Sequence, residues 1–192
     1  MKIEFEPNDA LLIVDVQRDF LPGGALAVPA GDAVVPILNR YIALAEQHAT
    51  PIFASRDWHP QNHCSFRPRG PWPPHCIAAT DGAQFSSDLR LPADAIIVSK
   101  ATDEGGDAYS AFQGTGLSRE LRARGVQRLW IGGLATDYCV LSTVLDARKE
   151  GFDVFFLEDA SRPVEVHAGD GARAVTRMRE AGAVPVTYAQ VS

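Results

Sequence analysis

The sequence predicts a three-layer α/β domain: a doubly wound, mainly parallel six-stranded sheet with helices on both faces. Three observations lead there. The apolar runs are continuous rather than alternating, as expected of strands buried on both faces. Helical segments separate most of these runs, and that alternation implies right-handed crossovers between parallel strands. The chain has 192 residues, of which 46% are hydrophobic and 22% charged, the size and composition of one domain with one substantial core.

The elements follow in order. ALLIVDV (10–16) is the first strand, and VVPILNRYIALAEQHA (34–49) repeats its apolar residues at helical spacing. PIFAS (51–55) is the second strand and AIIVSK (95–100) the third. Between them, Trp58 to Pro92 breaks the rhythm with aromatics and prolines, too long a stretch for an ordinary connection and too apolar for disorder. LSRELRARG (117–125) is a helix, RLWIGG (128–133) a strand, and TDYCVLSTVLDARKEG (136–151) the helix after it. DVFFLED (153–159), the helix GARAVTRMREAG (171–182) and VPVTYAQV (184–191) complete the set, with Gly125, Gly151 and Gly182 as helix stops. Residues 1–192 are expected to form a single domain with a loop insertion at about 57–93.

Composition excludes several classes. A net charge of -6 argues against nucleic acid as a partner. MKIEFEPNDALLIVDV lacks the layout of a signal peptide, and no apolar run reaches membrane-spanning length, so no membrane partner is expected. Three cysteines are too few for a disulfide framework and suit a reducing compartment, which makes the cytoplasm the expected location. Surface helices of an α/β domain offer faces for a homo-oligomer.

Ligands of open α/β sheets bind beyond the carboxyl ends of the strands. Asp15 closes the first strand, Asp57 follows the second, Lys100 closes the third and Cys139 follows the fourth. A lone cysteine is most often a small buried hydrophobe. Here, though, Thr136 and Asp137 are residue types that cap helices, which places Cys139 in a first turn where backbone N–H groups and the helix dipole favour a thiolate. With Asp15 to accept the thiol proton and Lys100 to stabilise the anion, the set has the parts of an activated sulfur nucleophile.

A second cluster lies in the long loop. SRDWHPQNH offers Asp57 and His59, GPWPPHC adds His75, and an Asp with two His suits Zn²⁺, Mn²⁺ or Fe²⁺ with positions left open. His63 is a further ligand candidate or a packing residue, and Cys64 and Cys76 read as packing.

ALLIVDVQRDF, SRDWHPQNH, WPPHC, IIVSK and GGLATDYCV, in this order and spacing, resemble the nicotinamidases of the isochorismatase-like cysteine hydrolase superfamily over essentially the whole chain. The resemblance implies hydrolysis of nicotinamide to nicotinate and ammonia in NAD salvage, with pyrazinamide as a further substrate. It implies a triad of Asp15, Lys100 and Cys139, and one divalent metal, zinc ahead of iron or manganese, on Asp57, His59 and His75. It also implies a cis peptide at Leu134–Ala135 and an oxyanion hole of the Ala135 and Cys139 N–H groups. Phe20, Leu26, Trp72, Tyr109, Leu134 and Tyr138 would then form the substrate pocket. Two alternatives remain at this level: a relative acting on a carbamoyl amide, ureidoacrylate or isochorismate, and a non-catalytic binding or thiol-sensor protein on the same fold.

Overall fold

The structure, a computed structural model, describes residues 2–192. Its strands are β1 (Asp9–Val14), β2 (Ile52–Asp57), β3 (Ile96–Lys100), β4 (Arg128–Leu134), β5 (Asp153–Arg162) and β6 (Val184–Val186). Its helices are α1 (Val34–Gln47), α2 (Leu117–Ala123), α3 (Leu141–Lys149) and α4 (Asp170–Glu180). All adjacent strands pair in parallel, in the order β3-β2-β1-β4-β5-β6. The order reverses beside β1, whose two neighbours are β2 and β4. A crevice opens at such a reversal because the connections on either side leave in opposite directions.

Both sheet faces are covered. Leu11, Ile13, Ala54 and Trp130 pack against α1 through Val34, Leu38, Tyr41 and Ile42. On the other face Leu12, Val14, Phe53 and Ile131 meet Leu117 and Leu121 of α2, Val144 and Ala147 of α3, and Ala174 and Met178 of α4. This two-sided burial accounts for the unbroken apolar runs. Among the described residues no helix is long and apolar enough to cross a membrane.

Several boundaries differ from the sequence expectation. β1 ends at Val14, and Asp15 turns out of it at φ 50. β6 stops at Val186 because Thr187 and Gln190 close a capping box around a short 3-10 turn, Tyr188–Gln190. β5 runs on to Arg162 past an irregularity in its register with β4 between Ile131 and Gly133. Residues 58–95 contain no named strand or helix, only isolated bridges such as His59↔Ile77 and Phe66↔Trp72.

Candidate active site

Sheet register assembles the site. Asp57 lies opposite Lys100 in the β2–β3 ladder, and Val14 lies opposite both Ser55 and Gly133. Side chains two apart on a strand share a face, so Phe53 is core while Ser55 and Asp57 continue the same row into the crevice. Beyond β4 the peptide between Leu134 and Ala135 is cis, and the chain enters a π-turn, Thr136–Val140, before α3. Gly133 permits this course, since at φ 127 a Cβ there would sit 2.1 Å from the Val14 carbonyl oxygen.

Lys100 Nζ is the hub. It lies 3.0 Å from Asp15 Oδ2 and 3.5 Å from Cys139 Sγ, bonds Asp57 Oδ1, and donates to the Ala108 carbonyl at 3.0 Å. Lys100 and Asp15 are essentially inaccessible to solvent. Asp15 Oδ1 accepts the Ser55 hydroxyl at 2.7 Å, while Oδ2 touches the ammonium outside hydrogen-bond geometry and so keeps a lone pair free. Gln17 braces the backbone at Asp57: its side chain accepts the Asp57 N–H at 2.8 Å and donates to the Asp57 and Ala83 carbonyls at 2.8 and 2.9 Å.

The charges of this cluster are interdependent. Burial alone would lower the Lys100 ammonium, but Asp15 and Asp57 outweigh it and hold the group charged, well above the ordinary lysine value. Burial raises the Asp15 carboxyl, with Lys100 only partly opposing it. Asp57 is also pushed up by burial, yet Lys100 and His59 carry it below the usual carboxylate range. Cys139 is raised well above an ordinary thiol, by burial first and by Asp15 and Asp57 next, despite Lys100.

Two expectations about Cys139 therefore need correction. Neither Thr136 nor Asp137 caps the helix through its side chain: Thr136 Oγ1 pairs with Ser161 Oγ at 2.8 Å, and Asp137 accepts the N–H groups of Val164 and Glu165 at 2.8 and 2.9 Å. Nor does the helix start by itself yield a thiolate. Two buried carboxylates beside Cys139 make a further anion costly there and add to the burial that raises the thiol.

Asp57, His59 and His75 place donor atoms within 4.8 Å of one another, all buried. The surrounding bonds suit a divalent cation. His59 Nδ1 faces the Ala101 carbonyl at 3.3 Å and His75 Nδ1 the Pro73 carbonyl at 2.8 Å, which makes both Nδ1 atoms donors and leaves both Nε2 atoms as free acceptors. Asp57 Oδ2 lies 3.5 Å from His59 Nε2, while Oδ1 is taken by Lys100. Burial pushes the His75 imidazole below its ordinary value, towards the neutral form that ligates.

His63 is not part of this donor cluster. Its Nδ1 accepts the Ser65 N–H at 3.3 Å and lies 2.7 Å from Ser65 Oγ, so its proton is on Nε2, facing the Gly106 carbonyl at 3.2 Å. The ring stacks on His59 with centroids 4.1 Å apart, holding that ligand candidate in place. Cys76 is buried, its N–H donating to Asp19 Oδ2 at 2.7 Å, and all three cysteines are free thiols.

A cavity of about 500 Å³, its open mouth included, lies over these groups. Phe20, Leu26, Trp72, Tyr109 and Tyr138 line it, together with Asp57, His59, His75, Ala135 and Cys139. Trp72 Nε1 donates to the Tyr109 hydroxyl at 3.0 Å, and Trp72 meets Tyr138 edge-on with centroids 5.2 Å apart. Leu134 differs from expectation: its side chain turns into the core beside α1 rather than into the cavity. Val28, Ser65, Asp107, Ala108 and Val164 also line the cavity and carry no motif by which sequence alone would single them out.

The model of the isochorismatase domain matches residues 9–190. The chain belongs to the isochorismatase family. Among relatives in the family, the nicotinamidase of Escherichia coli (strain K12) is 40% identical over 205 residues, covering 95% of this chain and 96% of that one. The structure of the pyrazinamidase of Pyrococcus horikoshii in complex with zinc superposes with a TM-score of 0.91 at 49% identity, covering 95% of this chain and 100% of that one. PnC1 from L. infantum in complex with nicotinate gives a TM-score of 0.91 at 34% identity, covering 100% and 99%. The six-stranded parallel sheet with helices on both faces is thus the isochorismatase-like architecture.

Proposed function

We propose that this member of the isochorismatase family hydrolyses nicotinamide to nicotinate and ammonia through a cysteine thioester, a step of NAD salvage. The observation that carries the reading is the buried Lys100 ammonium, 3.0 Å from Asp15 and 3.5 Å from Cys139 Sγ, at the base of an aromatic cavity. The E. coli nicotinamidase, matched nearly end to end, supports the substrate.

Asp15 Oδ2 takes the thiol proton as Cys139 Sγ attacks the carboxamide carbon, and Lys100 remains cationic between the two. The oxyanion that forms is held by the N–H groups of Ala135 and Cys139. Among the described residues neither donates to a backbone carbonyl outside its own turn, and a donor of this kind is typically worth about 2.7–4 kcal/mol. Asp15 returns its proton to the departing nitrogen as the C–N bond breaks, and ammonia leaves a thioester. Asp15 then deprotonates a water that attacks the thioester carbon, and Sγ departs as nicotinate forms, taking the proton back from Asp15.

Asp57, His59 and His75 would hold one divalent cation, zinc by preference, as the zinc-bound P. horikoshii structure supports. When bound, such an ion supplies a Lewis-acid position that recognises the ring nitrogen of the substrate. Phe20, Trp72 and Tyr109 accept the ring itself.

Ammonia release from nicotinamide tests the reading directly, and its absence from correctly folded, zinc-loaded protein would favour a related amide substrate or a non-catalytic role. Because the aromatic wall accepts a benzene ring as readily as a pyridine, discrimination rests on the polar donor set. Benzamide is expected to show kcat/KM at least about a hundredfold lower, about 2.7 kcal/mol of transition-state stabilisation. Asp57→Ala and His75→Ala should each lower bound metal and activity together, with metal read by elemental analysis after dialysis. Full activity in demonstrably metal-free protein would reduce the cluster to a structural feature.

A further inference from the structure

Asp107 is a cavity-lining carboxylate that the mechanism leaves unused. Its backbone is fixed close to the reacting groups, since the next residue, Ala108, supplies the carbonyl that accepts from Lys100 Nζ at 3.0 Å. Its Oδ1 accepts only the Ala108 N–H, at 3.0 Å. Among the described residues no lysine, arginine or histidine lies within ion-pair distance of it. Arg67 and Arg69, on the neighbouring loop, do not line the cavity. The carboxylate also bears on its surroundings, adding to the burial that raises the Tyr109 phenol.

Resting on the proposed nicotinamide hydrolysis, we propose that Asp107 is a specificity-determining residue that sets the cavity against anionic ligands, favouring the neutral amide over its carboxylate product. The reasoning is electrostatic. With both carboxylates ionised, Asp15, Asp57 and Lys100 sum to one formal negative charge. A divalent cation on Asp57, His59 and His75 would reverse it to one net positive charge, a trap for the carboxylate the reaction produces. Asp19, whose charge acts on His75 beside the cavity, offsets that positive charge, and Asp107 carries the cleft to a net negative one. A neutral amide feels this charge only weakly, whereas a monoanion in the cleft is repelled by it.

The test uses the zinc-loaded Cys139→Ala protein, which would bind nicotinamide without consuming it. Affinities for nicotinamide and nicotinate are measured by titration calorimetry, with and without Asp107→Asn. Asparagine has the same shape and still accepts the Ala108 N–H, so the fold is retained. The ratio of nicotinate to nicotinamide affinity is expected to rise at least about fivefold in Asp107→Asn. Glu104→Gln, on the same exposed segment but outside the cavity lining, is expected to leave the ratio unchanged. An unchanged ratio in Asp107→Asn, or an equal rise in Glu104→Gln, overturns the inference. Binding of neither ligand to folded Cys139→Ala protein overturns the proposed function itself, and this inference with it.

Discussion

Cys139→Ala is expected to lower the rate of ammonia release from nicotinamide by at least about a thousandfold while leaving the melting temperature close to that of the unmodified protein. The substitution removes only Sγ from a residue that is 6% exposed. The Asp15–Lys100–Asp57 ion cluster stays intact and still satisfies its own charges. In the proposed mechanism what is lost is the atom that bonds the carboxamide carbon, and neither Asp15 nor water replaces it at comparable rate. Cys64→Ala and Cys76→Ala are expected to retain most activity, since neither sulfur lines the cavity. A tenth of the original rate surviving in Cys139→Ala would rule out the covalent route and leave direct attack by water as the chemistry.

Gly133→Ala is expected to cost at least about 3 kcal/mol of stability and nearly all activity. Its φ of 127 is one that L side chains rarely adopt, and the added Cβ would meet Val14 O, N and C at 2.1, 2.7 and 2.9 Å. These are backbone atoms of a central strand and have no room to give. Relief requires β4 to move away from β1, which displaces Asp15 on one side and the turn carrying Cys139 on the other. Gly132→Ala is a graded control, because there the Cβ meets the Leu157 side chain at 3.0 Å and the Ala160 carbonyl at 3.2 Å. At Gly105 nothing lies within 4 Å, so alanine should be neutral there. Urea denaturation midpoints order the three; a Gly133→Ala protein as stable as the Gly105→Ala protein would show that this glycine does not set the β1–β4 approach.

Much of the fold was legible because its signals are local. Continuous runs such as LLIV and RLWI marked strands buried on both faces, and Gly125, Gly151 and Gly182 marked helix ends, where φ is 70, 89 and 90. Local pattern misled where a distant partner competes for the same group. Thr136 and Asp137 look like helix caps, yet Ser161, Val164 and Glu165 claim their side chains from more than twenty positions away. VPVTYAQV has strand composition throughout, but Thr187 and Gln190 bond each other and curl its second half.

The same division holds in the site. Residue identity and strand order were enough to collect Asp15, Asp57, Lys100 and Cys139, because parallel strands end on one edge and the crevice opens where their order reverses. Sequence by itself thus determined the architecture and singled out the residues that the structure brings together at this edge. Tertiary structure alone decided which histidine is committed elsewhere, since the tautomer of His63 depends on Ser65 and Gly106. It also decided that Leu134 belongs to the core, that Asp107 belongs to the cavity, and that burial and two carboxylates push the Cys139 thiol up. Protonation, tautomer and side-chain direction answer to every charge and contact within a few ångströms, and those neighbours come from segments that only folding brings together.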